Sequence, residues 1–364
     1  MLRDGARRFV REQFSIEQRR MLAKSETGFS AEHWQSYADL GWLALGLPED
    51  VGGLGCSMVE TVILMEEFGR GLALGPYVST AVLCAHLLDR SDNAEARAEV
   101  LAAVADGSRR LALAHFEPGE RRPTAPINTR ARRSQAGFVL SGVKSIVIDA
   151  PAADQLIVSA RLDDQDGYSL FLVDRRDEHL VLHDYPLIDG ARAADIYFTE
   201  LPLLGSALLV GAANAQALLT EALDRDTLAR VAEALGAMEA VLQLTSDYLK
   251  TRVQFGQPIG KFQALQHRMA EMFVEVQEVR SILYCALANL TAAPEQRSAA
   301  VSAAKVVTAD AGNFVGGQGI QLHGGIGVTN ECAVSHYYKK LFAFENVHGD
   351  AEWHLGRYAQ HVAR

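Results

Sequence analysis

Two short stretches in the second half of the chain combine residue types that could hold an anionic dinucleotide. The first is Thr251-Arg-Val-Gln-Phe-Gly-Gln-Pro-Ile-Gly-Lys-Phe-Gln263, and the second is Gln321-Leu-His-Gly-Gly-Ile-Gly-Val-Thr329. A diphosphate needs fixed positive charge and backbone N–H donors, which a bidentate guanidinium and a glycine turn supply. Arg252 is the candidate for the charge, and Gly324 and Gly325 let the backbone come close. Gln263 and Gln321 can both donate and accept, as an adenine-ribose edge requires. Each element also has a plainer reading. Arg252 is equally a surface arginine at a helix end, and Gly324-Gly325 equally an ordinary helix cap and turn. Singly, the plainer readings are stronger; in this order within one chain, the dinucleotide reading is.

Other chemistry is thinly represented. Cys56, Cys84, Cys285 and Cys332 are scattered, with neither a CxxC pair nor metal-ligand spacing. No HExxH-like pattern suggests a metal. His323 and His348 could take a proton, but a hydrogen-bonded structural imidazole is the commoner role.

The elements that must position these residues fall into three segments. Residues 1–110 read as helical, with apolar positions at helical spacing over Ala31–Leu45, Met58–Phe68, Ala81–Leu88 and Ala94–Ala105. Between the first two, Leu47-Pro-Glu-Asp-Val-Gly-Gly-Leu-Gly55 reads as a glycine-rich turn. Residues 111–205 alternate short β-type runs with turn chemistry: Gly137–Gly142, Gln155–Ala160, Tyr168–Asp174 and Asp195–Thr199. These predict a small β-sandwich or barrel. Residues 206–364 return to helix, over Ala212–Tyr248, Gln263–Thr291 and Arg297–Asn313, the last ending near Gly316–Gly319. A final segment starts at Ala333. Long helices joined by short loops predict a four-helix bundle. The fold class expected is mainly α with a β insert.

Composition agrees with a globular chain: 364 residues, 49% hydrophobic and 22% charged. The longest apolar runs, Ile282–Ala288 and Val100–Ala105, fall short of the roughly 20 residues needed to span a bilayer. The N-terminus lacks an apolar signal core, and the scattered thiols suit a reducing compartment, so a cytoplasmic location is expected. A net charge of -10 argues against nucleic acid.

Helices, a small β domain and a helical bundle, in that order, resemble the acyl-CoA dehydrogenase superfamily. The two C-terminal stretches resemble that family's signatures, at about the family's separation. Weaker matches at Pro48–Gly55, Glu117-Pro-Gly119, Ser141-Gly-Val-Lys144 and Phe171–Asp174 extend the likeness over the whole chain. The resemblance implies FAD as cofactor, an acyl-CoA substrate and electron-transfer flavoprotein as acceptor. It also implies a homo- or heterotetramer, because a neighbouring subunit completes each flavin site. Gln254, Phe255 and Phe262 join Arg252, Gln263, Gln321, Gly324 and Gly325 as its implied cofactor contacts.

In the family a carboxylate removes the α-proton of the thioester while the flavin accepts hydride from the β-carbon. The family offers two places for that base. Counting forward from Gln321 puts His348-Gly349-Asp350 where the family has Glu-Gly-Thr; Glu345 reaches the glutamate position only through a three-residue deletion. Counting back from Gly236 puts Asp226 at the other place, with Thr227 for a frequent arginine. Asp226 therefore ranks first and Glu345 second. The structural alternatives stand beside them: Asp226 as partner of Arg230 one turn on, and Glu345 as a surface residue after Lys339 and Lys340.

The chain departs from the family where side chains contact the flavin ring, with Phe116 in place of a threonine and Ile146-Val147-Ile148 in place of Trp-Ile-Thr. Three readings follow. One is a self-sufficient dehydrogenase. Another is a non-catalytic subunit that completes the flavin site of an α2β2 enzyme of the steroid-side-chain type. The third is a flavin oxidase or monooxygenase on the same fold.

Overall fold

The computed structural model describes residues 1–362. In chain order the helices before the sheet are α1 (Leu2–Gln13), α2 (Ile16–Leu22), α3 (Ala31–Asp39), α4 (Met58–Gly71), α5 (Ala85–Asp89) and α6 (Ala94–Ala105). A π-helical stretch, Val78–Cys84, leads into α5. The strands are β1 (Leu111–Ala114), β2 (Arg130–Arg133), β3 (Gly137–Ile148), β4 (Gln155–Leu162), β5 (Ser169–Asp174), β6 (Leu180–Pro186), β7 (Arg192–Leu204) and β8 (Leu208–Val210). Then come α7 (Ala212–Thr251), a hairpin of β9 (Val253–Gln254) and β10 (Gln257–Pro258), α8 (Gln263–Ala288), α9 (Pro294–His323), α10 (Ala333–Glu345) and α11 (Ala351–Val362).

The chain divides into two compact units, with the boundary inside α7. One holds Met1–Arg19, Thr61–Ala73 and Thr227–Arg364; the other holds Arg20–Glu60 and Leu74–Asp226.

In the second of these units β1 to β8 form one mixed sheet, in the order β6-β7-β3-β2-β4-β5-β8, with β1 added parallel to β4. Alternating apolar residues bury one set of side chains, among them Phe138 and Phe171, whose rings meet edge to face at 5.1 Å. A second core, built on Leu83, Leu101, Leu113, Ile157, Leu170 and Leu223, joins α5, α6 and the start of α7 to the sheet. The helical period over Ala31–Leu45 stops early, at Asp39. Gly41, at φ 71°, lets its N–H reach the Ala38 carbonyl and that of Trp42 reach the Tyr37 carbonyl, which closes the helix.

In the helical unit two glycines let α4 and α7 cross with backbones touching. A Cβ on Gly236 would run into the Glu66 carbonyl, and one on Gly69 into that of Glu233. Glycines act similarly in α9. The sequence predicts an end near Gly316–Gly319, but α9 continues through them to His323. Added Cβ atoms at Gly312 and Gly316 would meet Leu341 and Tyr338 of α10, and one at Gly319 would meet Val241 of α7 and Val334. Close packing against both α7 and α10 outweighs the roughly 1 kcal/mol that each glycine costs a helix.

Candidate functional site

The helical unit gathers the two C-terminal stretches. The end of α7 carries Tyr248 one turn before Arg252, and α9 ends at His323. The Tyr248 and His323 rings stack with centroids 4.5 Å apart and planes 23° from parallel. His323 is buried, and its Nδ1 lies 2.8 Å from the Gly319 carbonyl oxygen, so it serves as a structural imidazole. The stack puts Arg252 and Gly324 at one end of the bundle.

Both stretches are open there. Arg252, Gln254, Gln263, Gln321, Gly324 and Gly325 are all exposed, and among the described residues the Arg252 guanidinium has no carboxylate partner. Gly324 adopts φ 64°, ψ -148°, a conformation essentially reserved for glycine, and neither it nor Gly325 has an atom within 4 Å of an added Cβ. The backbone is therefore bare where a diphosphate would approach.

The β9–β10 hairpin turns at Phe255 and Gly256, both with positive φ (52° and 78°), while Gln254 pairs with Gln257. Asn-Gly suits such a turn far better than Phe-Gly. Phe255 is nonetheless 91% exposed, with the ring of half-buried Phe262 at 6.1 Å, edge-on. Phe262 caps α8 without a side-chain hydrogen bond, which leaves the positive end of that helix beside the hairpin. A guanidinium, bare glycine backbone, three glutamines, an uncapped helix start and an aromatic tip make a donor set that fits an anionic dinucleotide.

The candidate bases lie elsewhere. Asp226 is completely buried, on the part of α7 that belongs to the sheet-bearing unit. The Cys84 thiol is pushed well up, chiefly by burial and further by the charges of Asp226 and Asp149. Glu345, the last residue of α10, is half-buried and accepts a 2.8 Å hydrogen bond from the Asn313 amide. Asn313 lies ten residues before His323, about 15 Å back along α9. Glu345 is therefore neither an ion-paired surface residue nor part of the exposed cradle. His348 is buried in a left-handed conformation, φ 58°. Its loop is held by Lys305, whose Nζ donates to the carbonyls of Phe344 and Val347, the latter at 3.0 Å, and sits 3.9 Å above the Phe344 ring. Burial, helped by Lys305 and Arg357, brings the neighbouring His354 down to about 2 and keeps it neutral.

The sheet brings together the two motifs at Glu117 and Lys144. Lys144 Nζ is fully buried, 2.9 Å from Glu117 Oε1, and donates also to the His115 carbonyl and to Ser159 Oγ. Glu117 further accepts from the backbone N–H groups of Asn128 and Thr129 and from Thr129 Oγ1. Burial drives Lys144 down to about 8, against the pull of Glu117. The same pairing and the Thr129 bonds outweigh burial at Glu117 and bring it to about 2. Immediately beyond Lys144 the strand bulges at Ser145–Ile146, and Asp195 of β7 holds the bulge. Sequence reasoning missed Asp195. The signal available was a charge inside the apolar run Ala194–Phe198.

Comparison with known proteins decides the family. The acyl-CoA dehydrogenase N-terminal domain matches residues 1–108, and the acyl-CoA dehydrogenase C-terminal domain matches residues 217–363. The acyl-CoA dehydrogenase FadE27 of Mycobacterium tuberculosis is 30% identical over 362 residues, covering 95% of this chain and 92% of the relative. The chain belongs to the acyl-CoA dehydrogenase family. Among solved structures of the family, the Tcur3481–Tcur3483 steroid ACAD is 31% identical, with a TM-score of 0.89 over 100% of this chain and 96% of that one. The ChsE4–ChsE5 complex of M. tuberculosis is 29% identical, with a TM-score of 0.90 over 100% of this chain and 96% of its own. The order of helices, mixed sheet and helical bundle is the family's fold. No helix among the described residues is long and apolar enough to cross a membrane, and no cluster of metal-ligating side chains occurs among them.

Proposed function

We propose that the chain takes part in FAD-dependent α,β-dehydrogenation of an acyl-CoA thioester. The observation that carries this reading is the Tyr248–His323 stack, which draws the Arg252 and Gly324-Gly325 stretches to one exposed bundle end. Arg252 would neutralise the FAD diphosphate, with the glycines allowing close approach. Gln263 and Gln321 would bond the adenosine portion, and Gln254, Phe255 and Phe262 would cover it. Bound there, FAD would supply the hydride acceptor. The chain's own part in the chemistry is to hold the thioester and take its α-proton.

Asp226, fully buried on α7 at the place counting assigns, is the first candidate for that proton. Glu345 is the second, and its Asn313 bond supports a fixed orientation. Electron-transfer flavoprotein is the acceptor this reading expects. The test is the visible spectrum of the purified protein before and after a panel of acyl-CoA thioesters. A flavin band that acyl-CoA bleaches supports the reading; a protein that never takes up FAD defeats it.

A second reading has a specific observation behind it. Neither place for the base holds a glutamate, and two similar solved structures, the Tcur3481–Tcur3483 steroid ACAD and the ChsE4–ChsE5 complex, are named as pairs of chains. In this reading the chain completes a flavin site in a heterotetramer, and its companion supplies the base. Phe255, 91% exposed, suits a surface awaiting such a companion. Bleaching of FAD by acyl-CoA with this chain alone would exclude it.

A further inference from the structure

The helical unit buries two adjacent carboxylates under its first helix. Glu66 and Glu67 of α4 are 1% and 0% exposed. Arg7 of α1 grips Glu67 through Nε at 3.1 Å and a terminal nitrogen at 2.8 Å, and Arg3 pairs with Glu66 and, at 3.4 Å, with Glu67. Arg70 Nε donates to Glu67 at 3.2 Å. Its guanidinium also pairs with Glu239 of α7, which in turn pairs with Arg280 of α8. A string of charges therefore runs from α1 through α4 and α7 to α8. The apolar hold on α1 is thin by comparison. Its buried residues are Ala6 and Val10, and Val10 fills the space that a Cβ on Gly71 would need. The twelve residues of α1 are too few to stay helical alone in water. The two sides of the ionic contact are also unequal. Arg3 and Arg7 keep 35% and 51% of their side chains exposed, whereas the glutamates have almost no contact with water. An arginine that loses its partner can turn to solvent; a buried carboxylate that loses its cation favours whatever state exposes it.

We propose that α1 is a releasable latch: charge rather than apolar contact docks it, and it opens as a unit while the rest of the helical unit stays folded. In the closed form Arg3 and Arg7 neutralise Glu66 and Glu67. In the open form α1 unwinds, the two carboxylates meet water, and the string of charges ends at Arg70. Opening costs less than unfolding the bundle, because it gives up two small apolar contacts and a set of ion pairs and leaves the glycine crossing of α4 and α7 intact. Salt favours the open form, since both arginines are within reach of solvent ions. The latch is independent of the FAD reading.

Hydrogen exchange of the full chain, read by mass spectrometry at low salt and at about 1 M NaCl, tests this on wild type, Arg7→Ala and Arg8→Ala. Each is purified with any chain that accompanies it. Arg8 lies on the exposed side of α1 and controls for the change in helix propensity. In wild type, the amides of α1 should exchange faster than those of α7 and speed up several-fold with salt. They should also ignore urea below the unfolding transition, which marks a local opening. Arg7→Ala should speed α1 exchange on the order of tenfold or more and leave α7 unchanged, whereas Arg8→Ala should leave both unchanged. Equal acceleration by the two substitutions would remove the ionic contact from the account and overturn the proposal. So would α1 exchange that tracks α7 in urea, because α1 then opens only with the bundle. Should Arg7→Ala fail to fold, the wild-type series decides alone: an α1 exchange rate indifferent to salt overturns the proposal as well.

Discussion

Tyr248 lies against His323, ring centres 4.5 Å apart, and so joins the last turn of α7 to the last turn of α9. The contact spans 75 residues of sequence and rests on packing, since the glycines of α9 let α7 and α10 close upon it. Arg252 and Gly324 owe their common location to it.

If Asp226 removes the α-proton, Asp226→Asn should slow acyl-CoA bleaching of the flavin by on the order of 100-fold or more, while FAD stays bound. Glu345→Gln should change it only a few-fold. Stopped-flow absorbance of the assembled protein reads both. If neither substitution slows the reaction, the base belongs to a companion chain.

Gly236→Ala should destabilise the helical unit by about 1–3 kcal/mol, because its methyl group would meet the Glu66 carbonyl across the α4–α7 crossing. Urea unfolding checks this. An unchanged midpoint would mean that the crossing is looser than described.

The Glu117–Lys144 pair predicts a direction with pH. Glu117 titrates at about 2 when folded, below its ordinary value of 4.5, so the unfolded chain binds the proton first. Its stabilising share is complete above about pH 4.5 and is lost as pH falls toward 2. Lys144→Met leaves Glu117 buried without its cation, and acid unfolding should then begin at higher pH. Circular dichroism across an acid titration of both proteins measures the difference.

Phe255 occupies a turn position that favours asparagine. Phe255→Asn should stabilise the chain by roughly 0.5–1 kcal/mol, by relieving the left-handed φ of 52° and removing an exposed ring. The same change should weaken FAD binding. A melting curve paired with an FAD titration would show the two effects moving in opposite directions.

Much of this was legible in residue order, and the exceptions have physical causes. Long apolar periods marked α7 and α8 because a 3.6-residue repeat over many turns has no competitor. The end of α9 was misplaced because Gly316–Gly319 resemble a stop signal until the side chains of α10 and α7 are seen to need the space. Glu117 and Lys144 were visible as separate motifs, but their buried ion pair follows from strand pairing. Asp195 was unreadable as a hub, since its partners Ser145 and Tyr185 sit 50 and 10 residues away. The two candidate base positions came from counting, and burial then separated them: Asp226 lies fully inside, Glu345 half-buried on Asn313.

The central claim is that Arg252 and the paired glycines hold one diphosphate, and a fluorescence titration of FAD into wild type and Arg252→Ala tests it most directly. Loss of a charge-assisted bidentate contact should weaken binding by roughly 10- to 100-fold, with the fold intact by circular dichroism. Equal affinity in the two proteins would contradict the account.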